Sequence, residues 1–533
     1  MVARPVANRA LILLFTALSL SACGSHEPAE PPRLVVMLVV DQLRGDMLDR
    51  FDSLFTGGLR RIRDEGLTFP NATHDHAKTS TAVGHATLST GVFPSRNGII
   101  ANEWQEAVGE RWRLVYALED TLSGIVDLPE YEGRSPKNLL RGGLADWVSE
   151  AYPEAIVLSV SRKDRAAITL AGKTAGNVYW FVNEEGRFAT SHFYRSEYPE
   201  WVSEFNAVDV PLLLGDSIWE STIPPGGEAL ARGDTFAFEG DGVHTTLPHR
   251  FEEEEARRDP NAIYRWHAAR TPFVDGATLA FAMEGMRELG VGQDTVPDFL
   301  SVSLSQTDAI GHDYGPISPE QLDNLLRLDR ALGEFLSFLD DFVGVGNWVL
   351  GFSGDHGVLT MPEYLESIGE PGHRRTREER AAVRSLISAS SEWEGDEDTV
   401  ARRLAAELET LPFVADAMAR SELEGGEPAD SFITLFRNSW HPERPIWPMH
   451  VAGVMIRYVE GFLPISERTT TSHGQPYYYD RHVPLILMGT EVSPGVSTAS
   501  VRTVDLAPTL AWLAGAQAPA DLDGVSLLGP EGS

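Results

Sequence analysis

A chain of 533 residues with a net charge of -34 can bury a large core and is repelled by polyanions, which excludes a general nucleic-acid or anionic-membrane binder. An anionic substrate stays open, because a local cationic site outweighs a distant field. Lysine occurs only at Lys78, Lys137, Lys163 and Lys173, so any Lys inside a candidate site stands out.

Residues 1–22 have the layout of a secretory signal: Arg4 and Arg9 precede an apolar run over 10–20 that is too short to span a bilayer. Leu20-Ser21-Ala22-Cys23 resembles a bacterial lipobox, and lipidation gives the single cysteine, Cys23, a role in an exported chain. Residues 23–33 then read as a polar, proline-containing tether. Gly24 after Cys23 resembles the sorting signal for the outer membrane. The expected location is the periplasmic side of a bacterial cell envelope, with membrane attachment through lipid alone and no protein partner.

Residues 34–40 form a continuous apolar run rich in β-branched valine, the mark of a strand buried on both faces in a parallel α/β sheet, and Asp41 follows at its carboxyl end. Residues 55–66 read as a short amphipathic helix. Lys78-Thr79-Ser80-Thr81-Ala82-Val83-Gly84-His85 opens a second helix, with Thr81 expected at the N-cap and Gly91 at the left-handed end. A hydroxyl there lies beside free N–H groups that suit a phosphate. Residues 155–160 are another strand, running into Ser161-Arg162-Lys163-Asp164-Arg165.

Residues 176–270 are acidic and aromatic and read as an insertion. A helix over 273–289 and a strand over 299–304 follow, and after that strand Asp308 and His312 stand four apart. One turn of loop would let both face one ion. Ser318-Pro319-Glu320-Gln321 reads as a capping box opening a helix through Leu339. The strand over 348–352 ends in Gly354-Asp355-His356-Gly357. A second insertion occupies about 365–465, His473 precedes a strand over 483–488, and Asp505 caps a last helix through Leu513. Strand, polar loop and helix alternate, and Asp41, Asp308, Asp355 and His356 all follow strands. A doubly wound sheet gathers such loops along one edge. Asp and His without thiolate suit zinc or a similar divalent ion in a catalytic site.

These stretches, in order, resemble the alkaline phosphatase superfamily, as does Val504-Asp505-Leu506-Ala507-Pro508-Thr509-Leu510 with Asp523-Gly524-Val525-Ser526-Leu527. Within it, Thr81 to His85, Asn102-Glu103-Trp104 and Lys163 to Ala167 resemble the phosphate-irrepressible alkaline phosphatases, which use a Thr nucleophile. Lys78 departs from the proline that the pattern leads one to expect. The resemblance implies a catalytic domain over 34–533, with a doubly wound central sheet flanked by helices and carrying inserted cap elements. It implies two Zn2+ per chain, one on Asp308, His312 and His473, the other on Asp41, Asp355 and His356 with Thr81. It implies that Thr81 becomes phosphorylated and that Asn102, Lys163 and Arg165 hold the phosphoryl oxygens of small phosphate monoesters. A nucleotide pyrophosphatase or phosphodiesterase on the same frame is the alternative, and Lys163 with Arg165 is the feature that argues against it. His85 is read as packed or supporting. Ser80 and Thr79 are rival nucleophiles that the family pattern ranks below Thr81.

Overall fold

The computed structural model describes residues 31–529 apart from 109–110, 175, 235, 241, 243, 425–430, 445–452 and 466–468. The signal segment over 1–22, Cys23 and the start of the tether lie outside the described residues.

Nine strands form the central sheet: β1 Leu34–Val40, β2 Leu67–Phe69, β3 Val157–Ser161, β4 Asn177–Val182, β5 Arg187–Ala189, β6 Asp298–Leu304, β7 Trp348–Gly354, β8 Leu485–Gly489 and β9 Gly495–Val496. Their spatial order is β9-β2-β8-β7-β1-β6-β3-β4-β5. The sheet is mixed rather than wholly parallel. β7, β1, β6, β3 and β4 run in parallel, whereas β8 pairs antiparallel with β7, β2 antiparallel with β8, and β5 antiparallel with β4.

Every residue of β1 is buried. Its alternate side chains divide between two cores, as the period of two requires. Leu34, Val36, Leu38 and Val40 pack on one face with the long helices Phe273–Leu289 and Pro319–Leu339. Val35, Met37 and Val39 pack on the other face, with helices Leu144–Ala151 and Leu506–Leu513.

Several expectations shift in detail. Residues 177–189 belong to the central sheet as β4 and β5, so the insertion expected over 176–270 does not begin at 176. The early helix is Gly58–Glu65, and Asp329 organises its start by accepting from the N–H groups of Thr56, Gly57, Leu59 and Arg60. Ser318 caps the long helix through Gln321 N, but the Gln321 side chain bonds Thr307 O, so half of the expected capping box forms. Asp505 accepts from Arg502 N and Val525 N, tying down the C-terminal segment rather than the helix it precedes. Between β7 and β8 the chain builds a further hydrophobic cluster from helices Arg377–Ser390 and Glu397–Leu408 and a two-stranded sheet, Val414–Ala419 with Val454–Tyr458. No helix among the described residues is long and apolar enough to cross a membrane.

Candidate active site

Four adjacent parallel strands deliver the polar residues to one edge. Asp41 follows β1, Asp355 and His356 follow β7, and Lys163 follows β3 to open helix α1, Asp164–Leu170. Asp308 and His312 follow β6. They lie on a helix, α2 Gln306–Tyr314, and not on the loop expected; the i, i+4 spacing puts both on one face. His473 reaches the same edge because β8 is antiparallel and therefore begins where β7 ends, with Leu485 opposite Ser353.

Thr81 is the first residue of the helix Thr81–Thr90, and Ser80 holds the N-cap position that was expected of Thr81. Gly91 closes that helix at φ 63°. Gly84 is forced by proximity: a Cβ there would lie 2.0 Å from the carbonyl oxygen of Asp355. Bare backbone at position 84 thus lets the helix touch the end of β7 and brings Thr81 to the carboxylates.

Lys163 stands at the centre. Its Nζ donates to Asp41 Oδ2 and to Asp308 Oδ2, each at 2.5 Å, and lies 3.3 Å from Thr81 Oγ1. The rival hydroxyls are placed differently. Thr79 Oγ1 accepts from Gly474 N at 3.0 Å, and Ser80 Oγ is buried without a partner. Of the three hydroxyls, Thr81 is the one in contact with Lys163. Asn102 accepts from Ala82 N through Oδ1 at 2.9 Å, beside the helix start. Arg165 does not bond Thr81 or the carboxylates. It lines a cavity of about 400 Å³ shared with Lys163, Asp308 and His312, and its Nε is buried without a partner.

The carboxylates and imidazoles form two groups whose ligand atoms lie within 4.8 Å of one another: Asp41, Asp355 and His356, and Asp308, His356 and His473. His356 therefore belongs to both groups. His312 also approaches Asp308, with Nε2 3.2 Å from Oδ1, and His473 Nε2 lies 3.6 Å from that same oxygen.

Three backbone carbonyls fix the tautomers. Nδ1 of His312 lies 2.9 Å from Thr471 O, that of His356 2.9 Å from Gly357 O, and that of His473 2.7 Å from Thr79 O. A carbonyl only accepts, so each Nδ1 carries the proton. Burial favours the neutral form of His356 and His473, whose lone-pair nitrogen, Nε2, then turns towards carboxylate oxygen, whereas the Asp308 carboxylate, against the effect of burial, raises the pKa of His312. Lone pairs facing carboxylates at this range need a cation between them. Asp41 Oδ1 and His356 Nε2 are buried without a hydrogen-bond partner, as ligands of an ion would be. The crowding has an electrostatic signature: burial, and then the Asp308 and Asp355 carboxylates, push Asp41 up to about 7. The residues present therefore fit divalent ions with oxygen and imidazole ligands.

Two supporting residues escaped the sequence reading or were only half seen in it. The backbone N–H of Gln42 donates to Asp355 Oδ1 at 2.9 Å, and its side-chain Nε2 donates to Asp308 Oδ1 at 2.7 Å, so one residue spaces the two groups. It sits at φ 67°, rarely adopted by a non-glycine residue, and nothing in the local sequence announces that. His85 lies with Nδ1 2.8 Å from Thr81 O and 3.1 Å from Asp355 Oδ2, and with Nε2 2.7 Å from Ser303 Oγ, joining the helix to the sheet and the site.

Residues 35–429 match the family described as type I phosphodiesterase / nucleotide pyrophosphatase. The chain is 31% identical over 515 residues to alkaline phosphatase PhoV of Synechococcus elongatus, covering 92% of this chain and 91% of that protein. It is 30% identical over 515 residues to alkaline phosphatase PafA of Elizabethkingia meningoseptica, covering 92% of each. The chain belongs to the PafA-like group of the alkaline phosphatase superfamily. The crystal structure of wild-type PafA superposes with a TM-score of 0.84 at 29% identity, covering 94% of this chain and 99% of that one. The mixed nine-stranded sheet with flanking helices is therefore the alkaline-phosphatase-like fold. With alkaline phosphatases matching along most of its length, this member of the superfamily is a phosphatase that acts on phosphate monoesters.

Proposed function

We propose that this phosphatase works through phosphorylation of Thr81 at a site for two zinc ions, in a protein exported and tethered by lipid at Cys23. The observation that carries the site reading is the contact of Lys163 with Thr81, Asp41 and Asp308. One ion would be held by Asp41, Asp355 and His356, and the other by Asp308, His312 and His473. When bound, such ions lower the pKa of an attacking hydroxyl or water and neutralise charge on the leaving oxygen.

The chain's own residues account for the rest. Thr81, at the first turn of its helix, presents Oγ1 to phosphorus where free N–H groups favour an anion. Lys163, buried and rigidly held, offers an ammonium to the phosphoryl oxygens, and Asn102 and Arg165 face the same region. Attack forms the Thr81 Oγ–P bond and breaks the bond from phosphorus to the alcohol oxygen, which leaves and takes up a proton. Water then attacks phosphothreonine, restoring Thr81 and releasing phosphate.

The diesterase activity in the matched family's description is the second reading, and Lys163 argues against it. A monoester presents three charged non-bridging oxygens, whereas a diester leaves one donor without a partner. Acid-quenched phosphoenzyme followed by peptide mapping tests the proposal. Label on Thr81, together with activity removed by chelator and restored by zinc, is the expected result; label on Ser80, Thr79 or any other residue overturns it.

A further inference from the structure

Lys78, the residue that departs from the family pattern, lies on a second cavity of about 560 Å³. Its inner wall belongs to the catalytic segments. Lys78 stands three residues before Thr81, and Gly474 follows His473. A Cβ at Gly474 would lie 3.0 Å from Lys78 Nζ, so the ammonium folds over the backbone beside a predicted metal ligand. The outer wall belongs to Arg375 and the helix Arg377–Ser390, which contributes Arg380 and Arg384.

None of these four cations forms a salt bridge within 4 Å among the described residues, in a chain with 78 acidic and 44 basic side chains; Lys78 has only the more distant Asp480 carboxylate, and Arg375 the Tyr458 hydroxyl. Arg380 and Arg384 are an i, i+4 pair of like charge, an arrangement that weakens a helix. They also act on their neighbour: burial, with Arg380 and Arg384 adding to it, lowers the pKa of the half-buried Arg375. Elsewhere the same chain pairs its arginines freely, as Arg61 does with Glu65 and Arg402 with Asp398. The remaining wall is largely apolar, with Val383, Ile387, Phe436 and Met455, and carries the polar residues Ser388, Ser439 and Gln475. Convergent cations without salt-bridge partners, around a largely apolar hollow, have the chemistry of a site for an anion carried on an apolar body.

We propose that this cavity receives the leaving group of a phosphate monoester that carries a second anionic group, such as a carboxylate, sulfonate or further phosphate, on an apolar body. The inference rests on the phosphomonoesterase reading of the adjoining site. Lys78 meets the part of the substrate nearest the ester, Ile387 and Phe436 pack against its body, and Arg375, Arg380 and Arg384 hold the distal anion.

The test uses the zinc-loaded full chain with 2-naphthyl phosphate and its 6-sulfonate, which share a leaving-group skeleton. At low salt the sulfonated ester is expected to have about tenfold higher kcat/KM, an advantage that shrinks as salt screens it. In Arg380→Gln/Arg384→Gln, which changes two exposed side chains to good helix formers, that advantage is lost while kcat/KM for 2-naphthyl phosphate stays within about twofold. Equal kcat/KM for both esters in the wild type, or an equal loss on both in the variant, overturns the inference. A second arm needs no turnover. Fluorescence titration with 6-hydroxynaphthalene-2-sulfonate is expected to show binding that the double variant weakens about tenfold. No binding, or identical binding to both proteins, overturns the inference. Normal sulfonate binding with no hydrolysis of either ester instead counts against the phosphomonoesterase reading and leaves the cavity assignment standing.

Discussion

Replacing Lys163 with Ala removes three contacts at once: the bonds to Asp41 and Asp308, and the approach to Thr81 Oγ1 at 3.3 Å. The side chain is 6% exposed, so solvent does little to screen what is lost. A preorganised donor aimed at developing charge is worth about 10²–10³ in rate, or about 2.7–4 kcal/mol. That stabilisation is specific to a substrate with a free oxygen to offer, so kcat/KM for p-nitrophenyl phosphate is expected to fall by about 10²–10³. For methyl p-nitrophenyl phosphate, which has the same leaving group, the fall is expected to be about tenfold or less. A second consequence appears without substrate. Two buried carboxylates lose their shared cation, and a broken buried ion pair typically costs about 3–5 kcal/mol, so metal-free Lys163→Ala should unfold at clearly lower urea than the metal-free wild type. Zinc should recover much of that difference, because a divalent ion compensates the same carboxylates. An equal fall in both activities would refute the reasoning, since Lys163 would then support the site as a whole rather than the monoester's extra oxygen.

Gln42→Ala removes the bond to Asp308 and keeps the backbone bond to Asp355, so zinc affinity measured by chelator competition should weaken about 10–100-fold; unchanged affinity would show that Gln42 does not position the ligand. Gly84→Ala forces a methyl to within 2.0 Å of Asp355 O, and the resulting shift should cost about 1–3 kcal/mol in urea unfolding and at least tenfold in kcat; wild-type values on both measures would refute the proximity argument. His74 is neutral and buried, with Nε2 at Gly354 O and Nδ1 at Thr503 Oγ1, and burial takes it from 6.5 down to about 4. Between those values the unfolded chain binds the proton and the folded chain does not, so the contribution of His74 is present above pH 6.5 and is lost as pH falls towards 4. The stability gap between wild type and His74→Gln should therefore narrow over that range, and a gap constant with pH would refute the assignment.

The strands that carry the site were legible because their chemistry is one-sided. A run such as Leu34 to Val40, apolar at every position, has few places to go but the middle of a sheet covered on both faces, and its terminal aspartate then has to lie on the sheet's edge. Strand direction was not legible. Leu485–Gly489 has no feature that marks it as antiparallel, since direction is set by where the preceding segment delivers it. The same holds for Asn177–Val182, whose aromatic residues read as insertion until their partner in β3 is known. Asp308 and His312 read as a loop turn because they follow a strand directly and stand only four apart. The helix forms there against α-helical neighbours, where packing overrides propensity. Gln42 was invisible for a different reason: its importance lies in two partners 266 and 313 residues away.

The central strand is also the first to be made, and that order has a cost in time. β1 has no neighbour in the sheet until β6 and β7 exist, and Trp348 emerges roughly 300 residues after Val40. At roughly 5–20 residues per second the nascent strand waits about 15–60 s for its second partner. Folding dominated by such distant pairings is slow, and an unpaired β-branched strand invites aggregation in the interval. His473 is made later still, after the whole segment between β7 and β8. A chain that ends short of His473 lacks one of the proposed ligands, so catalytic competence depends on the last segment made rather than arising in stages.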